Sequence, residues 1–295
     1  AVVRAAIEAG CKYFFGYPIT PQNEIPEYFS KELPKIGGAF VQGESEIASV
    51  NMLYGAVAAG ARAMTSSSSP GIALKQEGIG YLTKAEMPAV IVNMMRGGPG
   101  LGGIQPSQSD YNMCVKGGSN GDYHNIVVAP GNVQELADLV MEAFDLAEVY
   151  RTPVIILLDE VVGHMRERVV KKKAKDIEVY PRRKPTLTKE QGYKAYTPME
   201  DLVPNPADFG TGYRIHVTGL VHDETGFPTG SAKVTEETIK RLHEKITRVQ
   251  DEITHYDEFF MDDAEIAVVS YGGTARTAYV AVEQARKRGI KVGMI

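Results

Sequence analysis

The sequence predicts an α/β fold built on a parallel β-sheet, and two observations favour it. From residue 1 to about residue 170, short apolar runs alternate with segments of helical periodicity, the order expected when crossover helices join parallel strands. Each of the first four predicted strands is followed at once by a turn rich in glycine, serine or proline. Because ligands bind beyond the carboxyl ends of the strands in such sheets, these turns predict one shared site.

The strands and helices of this first region follow from apolar runs and helical spacing. Strands are predicted at 13–15, 39–41, 63–65, 89–95, 126–129 and 154–159. The turns after the first four strands are 16–21, 42–46, 66–71 and 96–100. Helices are predicted at 1–9, 21–32, 46–60, 71–85 and 133–150, and the last has apolar residues three and four apart along one side.

The character of the chain changes at the lysine run 171–173. Residues 181–208 are rich in proline and charge and show no steady period, which is typical of a linker or an extended excursion. Residues 235–259 again carry apolar side chains three and four apart, which predicts one long helix.

The last residues predict the beginning of another α/β unit. A strand at 265–270 leads into a glycine turn, a helix at 275–288 and a strand at 291–295 with nothing after it, so we expect the protein to continue. The predicted organisation is a parallel-sheet domain at 1–170, a linker or extended segment with a helix at 171–260, and the start of a second α/β domain at 261–295.

Size, charge and cysteine content exclude several classes of protein. A chain of 295 residues is long enough for two domains, and its formal net charge of −5 argues against a nucleic-acid partner. No apolar run approaches the ~18 residues of a membrane span. Two cysteines cannot hold an iron–sulfur cluster alone, since each cluster needs about four ligands. We therefore expect a cytoplasmic protein that binds neither nucleic acid nor membrane.

Glu46 is the sharpest candidate for chemistry. It opens a predicted helix rich in alanine and glycine, whose small residues allow close packing against a sheet or a flat ligand. Glu44 and Glu46 could instead only complement the helix dipole, an effect of a few tenths to ~1 kcal/mol. Position alone leaves both interpretations open.

The other turns offer polar groups with equally simple alternatives. Thr20 precedes Pro21 and could be an ordinary N-cap with proline at the first helical position. The serine turn at 66–71 could be merely flexible, although hydroxyls and free amides at a helix start also suit a polar ligand. Arg96 could be a surface charge, or its planar fork could bind a carboxylate.

Two further polar clusters are better explained without a ligand. Residues 117–122 resemble a phosphate loop but match no complete fingerprint. His216, His222, Asp223 and Glu224 suggest a polar hairpin rather than a metal site, and no metal site is predicted on this chain.

At the four turns the sequence closely resembles the alpha subunit of 2-oxoacid:ferredoxin oxidoreductases, which use thiamine diphosphate. The resemblance rests on the turn at 16–21, on the Glu46 helix with Asn51 and Gly55, and on the stretches at 65–71 and 96–99. The stretch at 93–110 is most similar to the 2-ketoisovalerate (branched-chain) members, and the likeness resumes at 218–229 and 264–295.

The resemblance implies a thiamine diphosphate pyrimidine-binding domain, followed by a linker and the start of a transketolase C-terminal-like domain. Glu46 would hydrogen-bond the aminopyrimidine ring, with Glu44 as the competing acid. Thr20 would contact the substrate or the reacting thiazolium region, and Arg96 would bind the substrate carboxylate. The other implied cofactor contacts are Pro18, Ile19, Ser68, Ser69, Pro70 and Gly71.

The resemblance also implies partner subunits. The other half of such a site needs a Gly-Asp-Gly motif with a downstream asparagine, from which residues 121–123 depart. A beta subunit would therefore carry Mg²⁺, the diphosphate site and the iron–sulfur clusters, with gamma and delta subunits also expected. This chain alone would be inactive.

The implied reaction converts a 2-oxo acid, coenzyme A and oxidised ferredoxin to an acyl-CoA, carbon dioxide and reduced ferredoxin. The favoured substrate is 2-ketoisovalerate, with 2-oxoglutarate or pyruvate as alternatives. Two rivals are a non-redox thiamine enzyme, which would normally carry both cofactor halves in one chain, and a non-catalytic subunit that keeps only the fold.

Overall fold

A six-stranded, all-parallel sheet forms the body of the protein. The computed structural model describes residues 1–170 and 177–295, so the lysine run at 171–173 lies outside the described residues. The strand order is β2-β1-β3-β4-β6-β5. The strands are β1 (Tyr13–Gly16), β2 (Ala39–Gln42), β3 (Ala63–Ser67), β4 (Ala89–Met95), β5 (Ile126–Val128) and β6 (Pro153–Asp159). The parallel α/β prediction is confirmed.

Helices cover both faces of this sheet. They are α1 (Val2–Glu8), α2 (Glu24–Glu32), α3 (Glu46–Ala58), α4 (Ser69–Lys84), α5 (Tyr111–Val115), α6 (Val133–Tyr150) and α7 (Glu160–His164). Apolar residues of α1, α2 and α6 pack on one face around Phe14 and Phe29, and those of α3 and α4 pack on the other around Leu53 and Ile79. The central strands β4 and β6 are buried along their whole length, as expected for a sheet covered on both sides.

Two helix starts differ from the prediction. The helix expected from Pro21 begins three residues later, because Asn23 precedes the first helical residue. The helix expected from Gly71 begins earlier, at Ser69, because Ser68 is extended and Pro70 occupies the first turn. Both shifts lie in turns that the sequence assigned to the site.

The segment expected to be a linker is packed against the body. Between residue 177 and residue 231 the structure has one short 3₁₀ helix, Lys189–Gln191, and otherwise irregular backbone. Even so, Tyr196 and Val203 are buried, and the Arg182 guanidinium lies 2.8 Å from Glu148 at the end of α6 and 3.3 Å from Asp208. Of the two structures predicted for residues 181–208, a linker or an extended excursion, the structure has the extended one. The buried side chains and ion pairs fix it to the body of the protein.

The single helix predicted over 235–259 is wrong. The structure has α8 (Ala232–Thr247) and a short α9 (Gln250–Ile253). The apolar spacing continues past the break, but Leu242 and Ile246 are the only apolar residues of α8 that are buried, and Tyr256 is exposed. Periodicity without a surface to pack on does not hold a helix.

Ion pairs fasten α8 to the amino edge of the sheet, where the strands begin. The Glu86 carboxylate lies just before β4 and accepts hydrogen bonds from Arg241 and from Lys245, at 2.5 and 2.9 Å. Burial alone would raise the pKa of Glu86, but the charges of Lys245 and Arg241 lower it to about 2. These contacts hold a distant part of the chain against the sheet.

The end of the chain forms the predicted βαβ unit. Strands β7 (Ile266–Val268) and β8 (Val292–Met294) pair in parallel, and α10 (Gly272–Lys287) crosses between them. The Asp159 carboxylate at the end of β6 accepts the Val162 N–H of α7 at 3.0 Å and the Gly273 N–H of α10 at 2.6 Å. Within the described ranges, no helix combines the length and apolar character needed to cross a bilayer.

Candidate functional site

The turns at the carboxyl ends of β1, β3 and β4 meet at one place, as the sequence predicted. The Arg96 guanidinium after β4 donates from Nη1 to the Thr20 carbonyl, at 2.8 Å. The Arg96 backbone N–H donates to Ser69 Oγ at the start of α4, at 2.9 Å. The start of α3 approaches from the other side through Glu46 and Gly71. Four separate segments of the chain therefore build one candidate site.

Glu46 lies in this site and Glu44 does not. Glu46 follows Ser45, which caps α3 by accepting the Ala48 N–H at 3.2 Å. Its side chain is buried, yet its carboxylate makes no hydrogen bond to any described residue. Glu44 is exposed, and among the described residues its carboxylate accepts a hydrogen bond only from the neighbouring Ser45 hydroxyl. The geometry separates the two acids that the sequence left as competitors.

The first turn of α4 closes directly against Glu46. A Cβ atom added at Gly71 would lie 2.7 Å from Glu46 Oε1 and would also overlap Ser67 Oγ. Only glycine therefore fits at position 71 while Glu46 keeps its place. Pro70 beside it is half-buried.

The serine turn contains buried hydroxyls without partners. Ser67 Oγ and Ser68 Oγ are buried and make no hydrogen bond within the described chain. Buried polar groups are normally paired, so such orphans indicate a missing partner such as water or a ligand. Ser69 differs, because its hydroxyl donates to the Asp110 carboxylate at 2.5 Å. Ser68 is thus available to a ligand, whereas Ser69 is used to hold the following loop.

Pro18, Ile19 and Thr20 lie in the turn after β1, which Arg96 contacts through the Thr20 carbonyl. Pro18 and Thr20 are exposed, and Ile19 is half-buried. The N-cap interpretation of Thr20 is wrong, since α2 begins only at Glu24. Its side chain is not occupied in helix capping.

Arg96 is buried, and its guanidinium group already donates hydrogen bonds to backbone carbonyls. Besides the Thr20 carbonyl, it donates from Nη2 and Nε to the Leu101 carbonyl, at 2.8 and 3.2 Å. Three of its five N–H groups are used in this way, which leaves two that a substrate carboxylate could accept. The alternative of a surface charge is wrong, and the geometry gives Arg96 the further task of ordering its own loop.

Sequence reasoning missed Lys75 and Asp110. Lys75 is fully buried, and its ammonium group donates to the Glu46 carbonyl at 3.3 Å and to Thr65 Oγ1 at 3.1 Å. Burial lowers the pKa of Lys75 to about 7, against the opposing effect of the Glu46 charge. The signal was present, because Lys75 falls three residues after Ile72 and four before Ile79, on the inward side of α4.

The two clusters set aside from the sequence are closed by their own contacts. The Tyr123 hydroxyl donates to the Gly117 carbonyl at 2.5 Å, which folds the glycine loop onto itself. The predicted hairpin is confirmed by the Gly226 N–H donating to the Asp223 carbonyl at 3.0 Å and by the pairing of His222 with Pro228.

Comparison with known proteins gives consistent matches along the chain. Residues 4–241 match the family model described as "Pyruvate flavodoxin/ferredoxin oxidoreductase, thiamine diP-bdg". The 2-oxoglutarate synthase subunit KorA of Methanocaldococcus jannaschii is 44% identical over 298 residues, covering 100% of this chain and 79% of the relative. The ketoisovalerate oxidoreductase subunit VorB of Methanothermobacter thermautotrophicus is 46% identical over 295 residues, covering 100% and 76%.

One solved structure is similar over nearly the whole chain. It is a 2-oxoglutarate:ferredoxin oxidoreductase from Magnetococcus marinus with 2-oxoglutarate, coenzyme A and succinyl-CoA bound, which matches with a TM-score of 0.90 at 31% identity. The match covers 98% of this chain and 51% of that one, so this chain spans about half the length of the solved relative.

Proposed function

Because this chain belongs to the family of thiamine diphosphate-binding subunits of 2-oxoacid:ferredoxin oxidoreductases, we propose that it supplies the half of a shared active site that receives the aminopyrimidine ring. The observation that carries the proposal is the carboxylate of the buried residue Glu46, which lies beside Gly71 and has no hydrogen-bond partner in the described chain. The unpaired hydroxyls of Ser67 and Ser68 fit a polar ligand at the same place. Residues 1–170 would be the pyrimidine-binding domain, and 261–295 would begin the second domain.

Each side chain then has a distinct task. When bound, thiamine diphosphate supplies the carbon that adds to a 2-oxo group and the ring that accepts the electrons left when carbon dioxide departs. Glu46 would hydrogen-bond the ring nitrogen and share a proton with it, which a buried carboxyl does better than an exposed one. Thr20 and Arg96 would face the 2-oxo acid.

The remaining predicted contacts would line the cofactor. Ser68 would donate its free hydroxyl, and Gly71 would keep the space beside Glu46 open. Ser69 would act on the Arg96 loop through Asp110. Pro18, Ile19 and Pro70 would contribute apolar walls.

We favour a 2-oxo acid with one carboxylate, and 2-ketoisovalerate as the substrate. The four site turns contain one arginine and no lysine, and the loop at 101–110 contains neither. A dicarboxylate such as 2-oxoglutarate would need a second cation for its distal charge. Leu101 and Ile104 on that loop are exposed apolar side chains, which suit a branched aliphatic substrate. Similarity to relatives of both names leaves 2-oxoglutarate and pyruvate as alternatives to be tested.

We also propose that a partner subunit covers the face beside Glu46. Ile47 and Met52 on α3 and Leu74 on α4 are exposed, and a Cβ atom added at Gly55 would meet nothing within 4 Å. Exposed apolar residues next to an incomplete site are typical of a subunit interface. The partner would be a beta subunit with the diphosphate, Mg²⁺ and iron–sulfur sites, and gamma and delta subunits would complete a cytoplasmic complex.

The test is anaerobic viologen reduction by the native complex isolated through this chain, with coenzyme A and a panel of 2-oxo acids. Strong reduction with 2-ketoisovalerate would support both the reaction class and the substrate. Reduction only with 2-oxoglutarate or pyruvate would keep the class and overturn the substrate. A complex that contains thiamine diphosphate and clusters yet reduces viologen with none of these acids would overturn the function. Ferredoxin replaces the viologen as a second acceptor.

A further inference from the structure

Lys75 is a buried cation that none of these steps uses. It lies on α4 one turn after Gly71 and connects three elements, since its ammonium group donates to the Glu46 carbonyl of α3 and to the Thr65 hydroxyl of β3. Its third N–H has no acceptor among the described residues. Across the same residues, no carboxylate oxygen comes within the 4.0 Å of an ion pair with its Nζ.

Burying such a cation without an ion pair is costly, because desolvation penalises the charged form. That penalty brings the pKa of Lys75 down to about 7, so the group changes charge near neutrality. Glu46 is the one charged group acting on Lys75 from the elements packed around it, and it favours the protonated form. From β3 the contact is the neutral Thr65 hydroxyl. The protonation of Lys75 therefore depends on the charge of Glu46.

We propose that Lys75 is a positioning residue for Glu46, which fixes the first turn of α3 against β3 and places a positive charge at the Glu46 backbone carbonyl. The inference rests on the proposed function, because Glu46 is the group taken to meet the aminopyrimidine ring. Linkage requires that a charge felt by Glu46 also changes the affinity for its ligand. Binding of thiamine diphosphate should therefore follow the protonation of Lys75.

The experiment is calorimetric titration of the cofactor-free complex with thiamine diphosphate in the presence of Mg²⁺, across about two pH units on each side of neutrality. We expect the wild-type affinity to change on the order of tenfold with a midpoint near neutral pH, the effect of a one-unit change in the Lys75 pKa on binding. Lys75→Arg, which stays charged, should bind thiamine diphosphate at every pH with the affinity that the wild type shows at acidic pH. Lys75→Met, which is always neutral, should bind thiamine diphosphate at every pH with the affinity that the wild type shows at alkaline pH.

A step that persists in Lys75→Met, or equal affinities for the two variants at every pH, would overturn the proposal. Should neither variant assemble, Glu46→Gln retains Lys75 and removes the charge that favours its protonation, so the midpoint should move to lower pH. An unmoved midpoint in this variant counts against the proposal.

The same variant separates the two claims. Wild-type turnover in Glu46→Gln would overturn the proposed function, whatever the midpoint. An inactive Glu46→Gln complex with an unmoved midpoint would overturn the Lys75 inference alone.

Discussion

Glu86 and Glu46 are buried acidic residues at opposite edges of the central sheet, and they differ in how they are paired. At the amino edge, Glu86 is fully buried and lies within 2.9 Å of two cations, Arg241 and Lys245. At the carboxyl edge, Lys75 is equally buried but has no carboxylate at ion-pair distance in the described chain, and Glu46 makes no hydrogen bond through its side chain. For these two acids, full pairing with cations indicates a structural role, whereas a missing partner indicates a place where a ligand can bind.

The comparison also explains the irregular segment after residue 177. The buried cation Arg182 of this segment pairs with Glu148 and Asp208. These two acids therefore have a cation partner, as Glu86 does. These contacts substitute for regular secondary structure in fixing the segment. Removing one partner would leave an uncompensated charge, which is the costly outcome.

The largest expected effect is the loss of turnover at the carboxyl edge. Glu46→Gln removes the proton-sharing carboxyl but keeps its shape, so turnover should fall about 10²- to 10⁴-fold while the complex still assembles. Viologen reduction and size-exclusion chromatography measure the two quantities. Glu44→Gln is the matched control, because Glu44 is exposed and outside the site. Equal losses of turnover in the two variants would show that Glu46 and Glu44 do not differ in function.

At the amino edge the expected effect is on stability instead. Glu86→Gln should lower the free energy of unfolding by about 3–5 kcal/mol, because Arg241 and Lys245 would remain buried without their acid. Thermal or denaturant unfolding measures the change. Glu236→Gln breaks an exposed pair with Lys240 and should cost only about 0–1 kcal/mol. A Glu86→Gln protein as stable as this control would show that the amino-edge pairs contribute little.

Arg96→Ala should have a smaller effect, because Arg96 is proposed to bind the substrate carboxylate and not to take part in proton transfer. We expect the KM for the 2-oxo acid to rise about 10- to 100-fold, the loss of a charge-assisted hydrogen bond. Steady-state kinetics of viologen reduction provide the measurement. An unchanged KM would remove Arg96 from the carboxylate role and leave it the task of ordering its loop.

The smallest effect concerns acid stability. The pKa of Glu86 is depressed to about 2 in the folded protein, so its contribution is complete above the unfolded value of ~4.3 and is lost as the pH falls toward 2. Glu86→Gln should therefore lose less stability than the wild type across this interval. Melting temperatures of the two proteins at matched acidic pH values give the comparison, and parallel curves would contradict it.

Much of the fold was predictable because its determinants are local. Apolar runs ended by glycine, serine and proline turns located the strands, and the same turns located Glu46 and the serines. Lys75 was not predicted, because the meaning of a lysine depends on whether its helix face is buried. Glu86 and Arg241 are 155 residues apart, so no local pattern could join them. The error over 235–259 has the same origin, since an apolar stripe predicts a helix only where a surface receives it.

Asp159 serves two helices at once, and this limits how far the chain can be shortened. Next to it, the Gln108 amide donates to the Tyr271 carbonyl at 2.9 Å and accepts the Thr274 hydroxyl at 3.1 Å. A version cut before Tyr271 would keep every strand of the six-stranded sheet but would leave Asp159 without its Gly273 partner and Gln108 without either contact. Gln108 lies in the loop that Arg96 begins, so losing these contacts would disturb the candidate site without removing a strand of the sheet. The shortest fragment that folds would therefore be shorter than the shortest fragment that keeps the site intact.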